Sequence, residues 1–300
     1  MLPIKSPQVQ EQTWLWRGFK IRYQIAGTQG SNLVLIHGFG ANSDHWRKNL
    51  PVLAQHYRVF AIDLIGFGFS DKPTPGLVQT ADQIPYTFET WGQQLVDFCQ
   101  DIVGGSAFLI GNSIGCIVAL QVAVMSPELV QGLVLLNCAL RQFHERKQDH
   151  LAWYERISRP WVQSLLGKRA VGRFFFSLIA RPKIIRSILK QAYINPAAVT
   201  DELIQILLAP AQTPGADQVF TAFLRYSQGP LPEDLLPQVQ APVLIVWGEA
   251  DPWEPIALGR ELAQFPAVEE FIPLPSVGHC PQDEVPDQVN PLLKNWIDRQ

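Results

Sequence analysis

A serine between two glycines is the most distinctive chemical feature of this chain, in the stretch Gly111-Asn112-Ser113-Ile114-Gly115. The apolar run before it, residues 107–110, is typical of a buried strand, and residues 116–125 are typical of a buried helix. On such a sharp turn the serine hydroxyl is lifted clear of the sheet, and the glycines remove side chains that would block the turn. The helix N-terminus directs its free N–H groups at the serine oxygen. The pattern predicts that Ser113 is a nucleophile.

A serine hydroxyl needs a base to take its proton, and the base needs a carboxylate to hold its orientation. Of the six histidines, His279 lies just past the last predicted strand, which brings it beside the serine turn, and we predict that it is the base. For the carboxylate we choose Asp251, at the end of the preceding strand, with Glu254 in reserve. The other interpretation of Asp251 is a helix N-cap, which Pro252 at the first helical position would suit.

Two backbone N–H groups must stabilise the oxyanion that forms when a serine attacks an ester. We predict that one belongs to Ile114, directly after the nucleophile, and the other to Phe39, in the glycine-rich loop after the third strand. The other interpretation of that loop is a turn without a catalytic role. A serine in this position, rather than an aspartate, favours acyl transfer over the opening of epoxides or carbon–halogen bonds.

Composition excludes several other functions for the 300 residues. A net charge of −3 gives no reason to expect a nucleic-acid partner. The four cysteines are widely spaced, so we expect neither a zinc site nor a disulfide framework, and a reducing compartment is the simplest interpretation. Asp71 stands where a dinucleotide-binding fingerprint needs its third glycine, so we expect no such cofactor. We predict neither a metal nor a cofactor.

Strands alternate with helices on both sides of a long helical insertion. An opening hairpin is predicted over residues 14–23, and the alternation predicts an α/β fold with a doubly wound, mostly parallel sheet. A helix is expected over residues 44–55, and another over 87–103 with Thr87 as its N-cap. We assign residues 1–140 and 237–300 to the core, and residues 141–236 to an all-helical cap inserted after the sixth strand. We expect the cap to set substrate choice and to supply no catalytic group.

Several stretches together are similar to one family, the chlorophyll dephytylase and pheophytinase group of α/β-hydrolases. They are residues 35–41, 44–49, 62–73, 132–139, 247–255 and 277–284. The resemblance covers most of the core, and Cys116, where pheophytinases often have glycine, makes dephytylases the closer group. It implies an α/β-hydrolase fold and a serine esterase that cleaves the phytyl ester of a chlorophyll-like pigment to chlorophyllide and phytol.

The residues alone leave other functions open: a carbon–carbon bond hydrolase, a perhydrolase, a generic carboxylesterase, or a non-catalytic receptor on the same fold. The N-terminus lacks a signal-peptide core, and glycines divide the uncharged run of residues 102–127, so we expect no transmembrane helix. With the resemblance, this indicates a cytoplasmic protein or one associated peripherally with photosynthetic membranes.

The cap has nine basic and no acidic residues from Arg156 to Lys190, with several large apolar residues among them. This pattern is typical of helices that lie on an anionic membrane surface. It is equally typical of a cap with an apolar face over the site and a basic face in water. Because the expected substrate resides in membranes, we favour membrane contact.

Overall fold

The computed structural model describes residues 7–142, 144–150 and 169–300. Its centre is one eight-stranded sheet in the order β1-β2-β4-β3-β5-β6-β7-β8, in which β2 pairs antiparallel with β1 and β4 and the other pairs are parallel. The strands are β1 Gln10–Trp16, β2 Phe19–Ala26, β3 Asn32–Ile36, β4 Arg58–Ile62, β5 Ala107–Asn112, β6 Val130–Leu136, β7 Val243–Gly248 and β8 Val268–Leu274. A two-stranded pair, Thr74–Pro75 with Gln83–Ile84, lies outside this sheet. The predicted mostly parallel sheet, with its opening hairpin, is confirmed.

The core helices pack on both faces of the sheet. They are α1 Leu50–Leu53, α2 Phe88–Phe98, α3 Ile114–Met125, and the later α9 Ile256–Leu262, α10 Pro281–Glu284 and α11 Pro286–Ile297. Thr87 caps α2 as predicted, because its side chain accepts the N–H of Thr90. The residues that follow α2, Cys99–Val103, form one π-helical turn. Parallel strands covered on both faces are apolar throughout, which explains why residues 102–127 carry no charge.

The helix predicted over residues 44–55 was wrong in extent. The structure has a 3₁₀ turn, Ser43–Trp46, and then the single-turn helix α1. Pro51 explains the break, because proline has no N–H to donate and is tolerated only in the first turn of a helix.

Helices fill the insertion between β6 and β7. They are α4 Arg169–Ile179, α5 Pro182–Ala192, α6 Asp201–Ala211, α7 Ala216–Arg225 and α8 Pro232–Leu235, with 3₁₀ turns at Glu145–His150, Pro196–Ala198 and Leu236–Gln238. The described part of the insertion contains no strand of the sheet. Residues 151–168, which carry three of the nine basic residues, lie outside the described residues.

Apolar side chains from both faces of the sheet hold the core together. On one face Trp91 of α2 packs with α3 and the strands, and on the other Trp296 of α11 packs edge-on against Phe108 of β5, with ring centroids 6.1 Å apart. These tryptophans are almost completely buried, so each adds on the order of 2–3 kcal/mol of hydrophobic stabilisation. None of the helices in the described ranges is long and apolar enough to span a bilayer.

Candidate active site

Ser113 occupies a strained turn between β5 and α3, residues 111–115, here called the elbow. Its backbone has φ 56° and ψ −120°, an unfavourable conformation for a residue with a side chain. Close packing holds this turn in place. A Cβ on Gly115 would lie 2.4 Å from the carbonyl oxygen of Ile36, and one on Gly111 would lie 2.4 Å from the carbonyl carbon of Gly115. The glycines therefore let helix α3 start directly against the sheet, with the serine at its N-terminus.

His279 and Asp251, predicted as base and acid, lie in contact. Nδ1 of His279 is 2.7 Å from Oδ2 of Asp251, and both side chains are almost fully buried. A ring nitrogen beside a carboxylate donates its proton, so in the neutral imidazole Nε2 keeps its lone pair. That tautomer is the one a general base needs when it takes a proton from a serine.

Asp251 accepts further hydrogen bonds that keep it ionised. Its Oδ1 accepts the backbone N–H groups of Trp253 (2.8 Å) and Glu254 (3.1 Å), and its Oδ2 accepts from the side chain of Asn137 (2.7 Å). Burial raises the pKa of the Asp251 carboxyl, but the hydrogen bonds and charge of His279 and these donors outweigh burial and lower it below its usual value. The N–H contacts with residues 253 and 254 belong to a turn, and the next helix, α9, begins only at Ile256 after Pro255, so the N-cap interpretation of Asp251 was wrong and its role as the acid stays a prediction.

Asn137 is a site residue that sequence reasoning did not identify. It directly follows β6 with φ 44°, donates Nδ2–H to Asp251, and accepts the N–H of Gly248 at Oδ1 (3.0 Å). The side chain is fully buried, and its two polar ends join the end of β6 to Asp251 and to Gly248 of β7. Its position at the end of a strand neighbouring the elbow strand was visible in the sequence, but its lack of charge argued against a role.

Glu254, the reserve acid, lines the same cavity as His279. Burial raises the pKa of the Glu254 carboxyl to about 7. Its Oε2 is buried with no hydrogen-bond partner in the described structure. A carboxyl that is only partly ionised at neutral pH is a weaker electrostatic partner for an imidazolium than one that is fully ionised.

The loop after β3 packs directly against the serine. A Cβ on Gly38 would lie 3.2 Å from Cβ of Ser113, and the ring of Phe39 stacks on Phe223 of α7 with centroids 4.4 Å apart. His37 is fully buried, with Nδ1 donating to the carbonyl of Gly38 (2.7 Å) and Nε2 accepting the Leu64 N–H (3.1 Å). Both nitrogens of His37 are thus occupied in shaping the loop. Donation by the N–H groups of Phe39 and Ile114 to an oxyanion stays a prediction.

A cavity of about 370 Å³ connects the serine, the histidine and the cap. Its walls include Ser113, His279 and Phe39 from the core. The cap contributes mostly apolar side chains, among them Phe176, Ile179, Ile185, Ile188, Leu189 and Leu207. Trp253 contacts His279 edge-on, with ring centroids 4.9 Å apart. The volume is within the range of small-molecule sites, and the lining favours a ligand with a hydrocarbon part.

The four cysteines, Cys99, Cys116, Cys138 and Cys280, are all buried and none forms a disulfide. Burial raises the pKa of the Cys280 and Cys138 thiols well above their usual value. Both adjoin the site, because Cys138 follows Asn137 and Cys280 follows His279.

Residues 33–292 match the sequence profile of the alpha/beta hydrolase family. The chain belongs to this family. Among curated relatives, a chloroplastic pheophytinase of Arabidopsis thaliana is 27% identical over 93% of this chain and 64% of its own length. An uncharacterized hydrolase, YugF, of Bacillus subtilis is 24% identical over 92% of each chain. This chain thus spans less than two thirds of the pheophytinase.

Solved structures of the alpha/beta hydrolase family have the same fold. A serine hydrolase involved in carbazole degradation superposes with a TM-score of 0.77 at 24% identity, covering 98% of this chain and all of that one. A bacterial membrane phospholipase A superposes with a TM-score of 0.73 at 25% identity, covering 97% and 86%. Family and relatives indicate a hydrolase, and they act on diverse substrates.

Proposed function

We propose that this hydrolase is a serine esterase in which Ser113 is the nucleophile, His279 the general base and Asp251 the acid that orients it. The observation that carries the proposal is the 2.7 Å contact of His279 with Asp251, at a cavity that Ser113 also lines. Because Nδ1 is engaged with the carboxylate, Nε2 is the nitrogen that takes the serine proton.

The reaction then follows from the polarity of each group. Ser113 Oγ attacks the ester carbonyl while its proton passes to His279, and the N–H groups of Phe39 and Ile114 stabilise the oxyanion. His279 returns the proton to the departing alcohol, leaving an acyl-enzyme. Water, deprotonated by the same histidine, then attacks the acyl-enzyme, which releases the carboxylic acid product and restores the serine.

For the substrate, we propose the phytyl ester of a chlorophyll-like pigment, with chlorophyllide and phytol as products. The apolar walls that the cap gives the cavity suit a long hydrocarbon chain, and the 27% identity with a pheophytinase favours a pigment ester. The sequence similarity in residues 247–255 and 277–284, which carry Asp251 and His279, supports the same substrate.

Product analysis tests this function. Purified protein is incubated with chlorophyll a, with pheophytin a and with p-nitrophenyl butyrate, and Ser113→Ala is the matched control. We expect chlorophyllide or pheophorbide with the wild-type protein and neither with the variant. Hydrolysis of the short ester without pigment cleavage would leave a generic carboxylesterase. If a fluorophosphonate did not label Ser113, the esterase assignment itself would fail, in favour of a receptor.

We also propose that the cap helices α4 and α5 bind an anionic membrane surface. Residues 169–190 contain six basic residues and no acidic one. The exposed apolar side chains here are Phe174, Phe175, Leu178, Ile184 and Ile188, and the first is 66% exposed. Ile188 also lines the cavity, so the exposed face adjoins the space for the substrate. A structural neighbour with this fold is named a membrane phospholipase A, which favours the same setting.

Co-sedimentation with liposomes tests membrane binding. Each basic residue near an anionic surface contributes about 1 kcal/mol, so the double variant Arg181→Gln/Lys183→Gln should lower binding roughly 30-fold at low salt. Both side chains are exposed. Arg260→Gln/Arg299→Gln, two exposed arginines of the core, is the control and should bind normally. Raised salt should weaken binding by screening. Equal binding to neutral and anionic liposomes, or none to either, would contradict the proposal.

A further inference from the structure

Residues 277–284, here called the histidine segment, contact the end of cap helix α5. The N–H of His279 donates to the carbonyl of Ala192, the last residue of α5, at 2.8 Å. A Cβ on Gly278 would lie 2.0 Å from the same carbonyl oxygen. The two backbones therefore touch at a distance that only glycine allows. The cap reaches the predicted base through its backbone.

Glu284 joins the same two parts of the molecule a second time. Its Oε2 accepts the N–H of Gly278 (2.8 Å), and its Oε1 accepts the N–H of Asn195, just after α5 (2.6 Å). The side chain is only 7% exposed. Hydrogen bonds to an ionised carboxylate are stronger than neutral ones, and burial strengthens them further. One oxygen of the Glu284 carboxylate thus binds the backbone just before His279, and the other binds the backbone of the cap.

The peptide unit of His279 is held on its other side by the elbow. Nδ2 of Asn112 donates to the carbonyl oxygens of His279 (3.1 Å) and Leu136 (3.1 Å). The ring is held by Asp251 at Nδ1. The imidazole position relative to the serine therefore depends on contacts from the elbow, the acid and the cap together.

We propose that Glu284 is a positioning residue for catalysis: it fixes the backbone of His279 by joining it to the cap, so that Nε2 is held ready for the serine. The proposal goes beyond the choice of ester and applies to any acyl substrate, although it rests on the proposed role of His279. It gives the end of the cap a supporting role beside substrate choice, while the expectation that the cap supplies no catalytic group stays a prediction.

Glu284→Gln is the first test. An amide has one accepting oxygen, so its NH₂ group would face one of the two N–H donors and that hydrogen bond would be lost. Misplacement of a catalytic group by about 1 Å costs on the order of 100-fold, so we expect kcat for p-nitrophenyl acetate to fall about 10- to 100-fold with KM little changed. Labelling by a fluorophosphonate should slow by the same factor. Glu261→Gln, an exposed glutamate on α9, is the control and should behave as wild type.

The cap side of the link is tested without changing Glu284. Asn195→Pro removes the N–H that Glu284 accepts, and φ of −82° at this position suits proline. Asn195→Ala is the matched control, because it loses only the side-chain bond to the Ala197 N–H and keeps the backbone donor. We expect the proline variant to lose kcat and labelling rate relative to the alanine variant.

Two outcomes separate this proposal from the proposed function. If Ser113→Ala or His279→Ala retained activity, the esterase mechanism would be wrong. If those variants were inactive while folded Glu284→Gln and Asn195→Pro kept wild-type kcat and labelling rates, only the positioning role would be overturned. Loss of thermal stability with unchanged kcat would likewise reduce Glu284 to a structural role.

Discussion

Glu254→Gln tests the electrostatics of the site in one substitution. Burial raises the pKa of this carboxyl from 4.5 to about 7 in the folded protein. At 1.36 kcal/mol for each pKa unit, the difference corresponds to about 3 kcal/mol of stability. Glutamine has nearly the same shape and stays neutral, so it imitates the protonated acid at every pH.

The sign of the effect follows from proton binding. The folded-state pKa is higher than the unfolded one, so the stability linked to the bound proton is fully present below about pH 4.5 and is lost as pH rises through about 7. The glutamine variant has no such proton to lose, so this contribution to its stability does not change over the same pH range. The difference in free energy of unfolding, variant minus wild type, should therefore increase between pH 5 and 8. It should level off about 3 kcal/mol above its value at low pH.

Urea unfolding of both proteins across pH 5–8.5 measures this difference, and Ser113→Ala, which removes no group that titrates in this range, provides a baseline. A difference that stays flat with pH would refute the reasoning. Activity decides a second question: with Asp251 as the acid, Glu254→Gln should keep turnover within about tenfold of wild type, because it removes no triad member. A severe loss here together with a mild effect of Asp251→Asn would move the acid to Glu254.

The other predictions concern the serine, its turn and its acid. Ser113→Ala, His279→Ala and Asp251→Asn should each lower kcat for p-nitrophenyl butyrate by about 10³-fold or more, and a double variant should be little worse than a single one; additive losses would contradict a shared mechanism. Gly115→Ala places a Cβ 2.4 Å from the Ile36 carbonyl oxygen, so urea unfolding should show about 1–3 kcal/mol of lost stability. An unchanged unfolding midpoint would contradict the close packing of α3 against the end of β3. Asn137→Ala removes a hydrogen bond to the ionised Asp251 carboxylate, worth about 1.5–3 kcal/mol, and should lower kcat at least about tenfold. A normal rate would mean that the N–H groups of residues 253 and 254 are enough to hold the carboxylate in place.

Most of the core was predictable because its signals are local. The apolar run before Ser113 and the glycines around it identified the elbow, and Thr87 followed by a helical pattern identified the start of α2. Strand order along the chain favoured His279 among six histidines, and the structure places it against Asp251, while its role as the base stays a prediction. These residues come together because the carboxyl ends of parallel strands meet at one edge of a sheet.

What the sequence did not reveal depends on contacts between distant residues. The bond from Asn137 to Asp251 spans 114 positions, and the bond from Asn195 to Glu284 spans 89. No periodicity marks such pairs, and an uncharged Asn137 gave no reason to suspect a role. Pro51 was visible, but its effect was underestimated because the apolar spacing of residues 44–55 favoured a longer helix.

The buried cysteines are natural probes of how often the site opens to solvent. A thiol reacts only when solvent reaches it and it loses its proton, so Cys138 and Cys280 should stay unmodified by maleimide while the surrounding structure is closed. Their labelling rates therefore measure how often the ends of β6 and the histidine segment open. Mass spectrometry of the labelled peptides would report each opening event separately, without introducing a probe into the protein. A ligand that fills the cavity should slow modification at Cys280, which lines it, while Cys99, between α2 and the sheet, reports only on the core.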